Sequence, residues 1–255
     1  GYSLTSGEYN SALGNAALYS NQTGFGNVAM GSHAGYSFVG SGGVFLGYEA
    51  GRGVSSADCV FIGYQSGKRA LGTGNVGIGY TALYGADSTA ANNTGTSNTA
   101  IGQNALKWFS KTIGTTAVGA EAGYYTTGSY NSFFGYKAGH GGTTSAPYSS
   151  GTYNTAMGFA ALMNFTTGQT NVAIGGYAGA SVSSGQKNVA IGYTSLNSLT
   201  DGTDSVAIGY GSLGAEVTRG TSVAIGYEAL ALQTHASDAA NSENVGVGFQ
   251  AGLRN

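Results

Sequence analysis

Along this chain a short apolar phrase alternates with a short polar linker, and the alternation never stops. The phrase reads NVAIGYTSL from Asn188, SVAIGYGSL from Ser205 and SVAIGYEAL from Ser222. Within it, large apolar residues flank a small one, and a glycine closes the run. Such a stretch is too short for a helix, and alternation over three or four positions predicts a β-strand ending in a turn. Glycine inside a helix is unfavourable by about 1 kcal/mol relative to alanine, so its recurrence argues against helices throughout.

The closing glycine falls at Gly14, Gly31, Gly47, Gly63, Gly79, Gly102, Gly119, Gly135, Gly158, Gly175, Gly192, Gly209, Gly226 and Gly248. Successive copies are 16 or 17 residues apart except at three places, where about six residues are added. A period this short predicts one coil of a parallel β-solenoid per copy, about fourteen coils in all, with residues 1–255 forming a single repeat domain. At roughly 4.8 Å per strand spacing, fourteen coils predict a rod on the order of 65 Å long.

Each position in the repeat carries its own expectation. The residue before the glycine is always apolar, as at Met30, Ile62, Ile101 and Ile191, and is expected to form the core column. The residue before that is Ala in nine copies, Gly77 and Gly246 in two, and Phe45, Phe61 and Phe133 in three. Neighbouring strand residues point to opposite sides, so this column is expected to face away from the core. The third residue after the glycine is always Ala or Ser, and the fourth is Leu or Gly, with Leu18, Leu83 and Leu196 expected to complete the core. Asn opens the phrase in nine copies, among them Asn27, Asn98, Asn171 and Asn188, which predicts a ladder of stacked amides. Tyrosine follows the glycine at Tyr48, Tyr64, Tyr80, Tyr136, Tyr193, Tyr210 and Tyr227, which predicts stacked rings with a structural role.

Composition narrows the picture. The chain has 255 residues with 47 Gly and 1 Pro, against a typical glycine usage of roughly 7%. Collagen is excluded because glycine does not recur at every third position. With 41% hydrophobic residues, 18 Tyr and 10 Phe, disorder is excluded too, leaving glycine demanded by tight turns. The net charge is −2 and the few Lys and Arg look scattered along the chain, which argues against a nucleic-acid surface. No apolar run approaches the roughly 20 residues of a membrane-spanning helix, so no membrane insertion is expected of this segment. The single cysteine, Cys59, takes the place of the opening Asn and is expected to be buried and inert.

The phrase NVAIG or SVAIG, followed three residues on by Ala or Ser at this period, resembles the head domain of YadA-like trimeric autotransporter adhesins. The variants N-T-A-I-G-x-x-A-L and N-S-F-F-G-Y-x-A-G are also similar to repeats of phage tail-fibre and bacterial surface-fibre proteins. The resemblance implies a left-handed parallel β-roll packed, intertwined or side by side, as a homotrimer. It implies an extracellular place, on a cell surface or a virion tail fibre, and a surface polysaccharide or other cell-surface receptor as partner. The first and last residues match the interior of a repeat, so the chain is expected to be a segment of a longer fibre. The spacing is slightly longer than the shortest coils of that family, and Gly-Tyr stands where a polar turn is usual.

Catalysis is not expected. His33, His140 and His235 fall in different copies with no recurring acidic or nucleophilic partner. No cofactor is expected, and the 11 acidic residues form no repeated calcium pattern. Departures from regularity are the better places to look for binding. Three long connections, residues 84–97, 140–153 and 231–243, are expected surface loops, and the second holds His140 and Tyr148. Lys107, Trp108 and Phe109 replace a small polar linker and include the only tryptophan. These five are the candidate ligand-binding residues, since exposed aromatic rings grip sugar faces and partner surfaces. The competing reading is an ice- or small-ligand-binding solenoid. It requires a regular Thr-x-Thr face, and the linkers Leu4-Thr5-Ser6 and Asn21-Gln22-Thr23 do not supply one.

Overall fold

Glycine makes the corner of every coil. All fourteen closing glycines have φ between +125° and +137°, a conformation closed to residues with a side chain. They also stand on one another: a Cβ on Gly192 would lie 2.5 Å from the carbonyl oxygen of Gly209. The corner therefore needs glycine twice over, once for its backbone angle and once for the rung above it.

The computed structural model describes residues 6–85, 93–142, 148–215, 221–233 and 243–253. It is an all-β solenoid with no α-helix among the described residues. The chain divides into two compact units, Gly1–Thr127 and Gly128–Asn255. The first holds strands β1 (Ser11–Leu13), β2 (Val28–Met30), β3 (Val44–Leu46), β4 (Val60–Ile62), β5 (Val76–Ile78), β6 (Thr99–Ile101) and β7 (Thr116–Val118). The second holds β8 (Ser132–Phe134), β9 (Thr155–Met157), β10 (Val172–Ile174), β11 (Val189–Ile191), β12 (Val206–Ile208), β13 (Val223–Ile225) and β14 (Val245–Val247). Within each unit every strand pairs in parallel with the next one along the chain. The register is the repeat itself: Val172, Ala173 and Ile174 lie opposite Val189, Ala190 and Ile191.

The two sides of the strand are the reverse of the sequence expectation. The middle residue points inward: Ala29, Phe45, Phe61, Ala117, Phe133 and Ala173 are fully buried. The large residue before the glycine, expected in the core, points outward, and Met30, Ile101, Phe134, Met157 and Ile225 are 37–47% exposed. The reason is room. The interior of one coil is narrow, and in seven coils a Leu at the fourth position after the corner already occupies it: Leu18, Leu83, Leu106 and Leu196 are fully buried, as expected.

That shared space explains a coupling between two positions. Phe45, Phe61 and Phe133 sit in coils whose fourth residue after the corner is Gly51, Gly67 and Gly139. A Cβ at those glycines would fall 2.2, 2.2 and 2.3 Å from the phenylalanine ring. Where the inward strand residue is large the fourth position is glycine, and where the fourth position is Leu the inward residue is Ala or Gly. No coil carries a large side chain at both of these positions, and some, such as the coil of Ala29 and Gly35, carry one at neither.

The expected amide ladder is present on the same inward side. Asn131, Asn154, Asn171 and Asn188 are buried, and each Oδ1 accepts from the backbone N–H of the next rung at 2.8–3.0 Å. Each Nδ2 donates to a linker carbonyl, as Asn171 does to Gly185 at 2.8 Å. In the first unit Asn75 and Asn98 repeat the arrangement. Cys59 interrupts it: its buried thiol sits 3.4 Å from the Gly72 carbonyl, the same carbonyl that Asn75 reaches at 2.8 Å. Burial pushes that thiol above its ordinary pKa, which leaves it a weak nucleophile.

Candidate functional site

Each strand presents two side chains outward. In β4, β5 and β10 to β13 these are a Val and an Ile per rung, and in the other strands one or both are replaced, by Thr, Ser, Met, Leu, Val or Phe. One residue beyond each corner the expected ring column follows. Tyr48, Tyr64 and Tyr80 stack with centroids 5.3 Å apart, and Tyr193, Tyr210, Tyr227 and Phe249 stack at 5.1–5.7 Å. Most of these rings are about half exposed, at 43–52% for Tyr48, Tyr64, Tyr80, Tyr136, Tyr193, Tyr210 and Tyr227. The result is a ribbon of apolar side chains along the outer side of each unit, at a density unusual for a surface facing only water.

The five residues singled out from the sequence separate. Lys107 and Trp108 are half-buried and lie together, the Lys107 ammonium 5.7 Å from the Trp108 ring and 5.5 Å from the Tyr124 ring. Trp108 meets Tyr84 edge to face at 6.5 Å. Phe109 is a correction. It is fully buried at the core position where Phe38 and Val54 stand in other coils, not exposed as expected. His140 and Tyr148 are half-buried and belong to the second unit, with His140 Nδ1 3.3 Å from the Gly141 carbonyl oxygen. His235, Pro147 and the middles of the three long connections lie outside the described residues.

A second cluster was hidden by the repeat. The fifth residue after successive corners is Tyr19, Tyr36, Arg52, Lys68, Tyr84, Lys107 and Tyr124 in the first unit. Cations that look scattered in the linear sequence thus share one column with rings above and below them. Tyr19 and Tyr36 stack at 5.0 Å, the Arg52 guanidinium lies 5.7 Å from the Tyr36 ring, and Lys68 lies 5.9 Å from Tyr84. The charge is organised by Glu49, whose side chain is almost fully buried. Its carboxylate accepts from Lys68 at 2.6 Å and Gln65 at 2.7 Å, and pairs with Arg52. Burial alone would raise the Glu49 pKa; the hydrogen bonds from Lys68, Gln65 and Arg52 outweigh it and hold the carboxyl at about 2.

Among the described residues no group of three or more His, Cys, Asp or Glu side chains could hold a metal ion, and no helix is long and apolar enough to cross a membrane. Comparison with protein-family models, with curated proteins and with solved structures finds no match to this chain.

Proposed function

We propose that this chain is a non-enzymatic structural and adhesive segment of a trimeric fibre, carried outside the cell on a bacterial surface or a virion tail. The observation that carries the reading is the outward apolar side of the strands. A coil that buries Ala and exposes Ile, Val and Met leaves its largest apolar side chains for something outside the chain. Fully burying such a side chain contributes about 1.5–3 kcal/mol, and these are already partly covered, so roughly 1 kcal/mol per rung is available to a partner. Summed over the rungs of one chain, that is of the same order as the cost of an association step.

Two further copies of the same chain fit this face. They carry the same side chains at the same rung spacing, so each contact repeats without change of register along the strands. A closed three-fold ring covers the ribbon on every copy, whereas open head-to-tail contacts would leave one side bare. The trimer is the arrangement that the resemblance of the repeats implies. The assembled segment then works mechanically, holding recognition surfaces away from the body that carries it, and three copies of any weak site act together by avidity. Sedimentation equilibrium tests the reading: the expected mass is three times the 25.4 kDa of the chain, and a stable monomer at micromolar concentration defeats it.

A further inference from the structure

We propose that the cleft formed by Arg52, Lys68 and Arg69 is a binding site for an acidic saccharide, one whose sugar ring bears a carboxylate, sulfate or phosphate. The cleft has a volume of about 260 Å³ and is lined by Ser37, Arg52, Gly53, Lys68 and Arg69. It gathers three of the nine Lys and Arg residues of the chain on two consecutive coils. Arg52 and Lys68 occupy the same place on successive rungs. Arg69 stands one place further, where the rungs on either side carry Gly53 and Gly85. Gly53, where a Cβ would lie 3.8 Å from the Arg69 Cα, forms part of the cleft wall.

The charge balance points to an anion. Glu49 neutralises one charge while holding Arg52 and Lys68 in place, so three cations less one carboxylate leave an excess of +2 at the cleft. Arg69 forms no ion pair among the described residues, and its guanidinium lies 5.8 Å from the Tyr84 ring. An excess of two positive charges on a protein of net charge −2, held in place by rings and a buried carboxylate, forms a preorganised oxyanion cradle. Arg69 also holds φ at +67°, a left-handed conformation that its counterpart Gly53 adopts freely at +87°. A cation is retained there at the expense of backbone strain. The Ser37 hydroxyl adds a neutral polar group on the wall for a sugar hydroxyl. The overall negative charge disfavours a long polyanion such as nucleic acid, which needs an extended basic stripe. The choice of a saccharide rests on the adhesive reading above; the oxyanion cradle does not.

Titration calorimetry at low salt, with a galacturonate trimer, a sulfated disaccharide, a neutral trisaccharide, inorganic phosphate and a short single-stranded DNA, tests the site. The acidic sugars are expected to bind at least tenfold more tightly than the neutral one and than phosphate alone. Arg69→Gly is expected to weaken that binding at least tenfold while leaving the unfolding temperature equal or higher, because glycine suits the local backbone. Arg52→Gln provides a second loss at a position without backbone strain. Equal binding of acidic and neutral sugars, an Arg69→Gly protein that binds as the parent does, or no binding at all overturns the site. Phosphate binding as tightly as the acidic sugars assigns a free oxyanion and overturns the saccharide, as does tighter binding of DNA. Acidic-sugar binding that depends on Arg69 in a chain that sediments as a monomer upholds the site and removes the trimeric fibre reading instead.

Discussion

The inner and outer sides of one three-residue strand are built from the wrong residues for their places, if hydrophobicity alone assigned them. In β11 the buried residue is Ala190 and the partly exposed ones are Val189 and Ile191. The same inversion runs through both units. What decides the inside is volume: the inward strand position and the fourth position after the corner share space for one large side chain, and in this coil Leu196 supplies it. What remains for the outside is the more apolar pair, which the proposed assembly covers with another surface of the same kind.

The contrast can be broken most severely from within. Ala190→Phe puts a ring into space that Leu196 already fills, and overpacking of this kind costs typically 1–3 kcal/mol, with the upper end expected in so narrow a core. Adding Leu196→Gly should return most of the loss, since the pair then reproduces the Phe45 and Gly51 arrangement. Chemical denaturation of the two single variants and the double variant measures this coupling directly; additive effects would contradict a shared space.

A smaller effect is expected at the polar end of the inner side. Asn171→Ala strips the Gly185 carbonyl of its donor and the Asn188 N–H of its acceptor, both in buried surroundings. A loss of about 2 kcal/mol is expected from the denaturation midpoint. The adjacent outward change, Val172→Thr, copies Thr155 on the neighbouring rung and is expected to alter chain stability by less than about 0.5 kcal/mol. Equal losses at the two positions would erase the distinction between the sides.

Much of this architecture is legible in the sequence because its causes are periodic. The glycine corner, the amide ladder and the ring column each need one residue type at one place in every coil, so counting finds them. The direction of the strand is different. A run such as Val189-Ala190-Ile191 alternates equally well with either side inward, and the habit of placing large apolar residues inside selects the wrong one. A signal that decides it does exist in the sequence: Phe45, Phe61 and Phe133 never share a coil with a fourth-position Leu, so the two positions compete for one space. Phe109 was misplaced for a related reason. It departs from the polar linker around it, yet its place in the period is the one that Phe38 and Val54 fill. The cation column was invisible to a linear count because Arg52, Lys68 and Lys107 come into one column only after folding at the coil spacing.

The reversal of the strand has one direct consequence for assembly, and sedimentation of the variant Ile191→Asp with Ile208→Asp addresses it. Both changes lie on the outer side, away from the coil interior, so the β-type circular dichroism of the parent should persist. The mass should fall from three chains to one. A parent that sediments as a monomer, a variant of unchanged mass, or a variant that unfolds as a core variant does would contradict the proposal that copies of the chain cover this face.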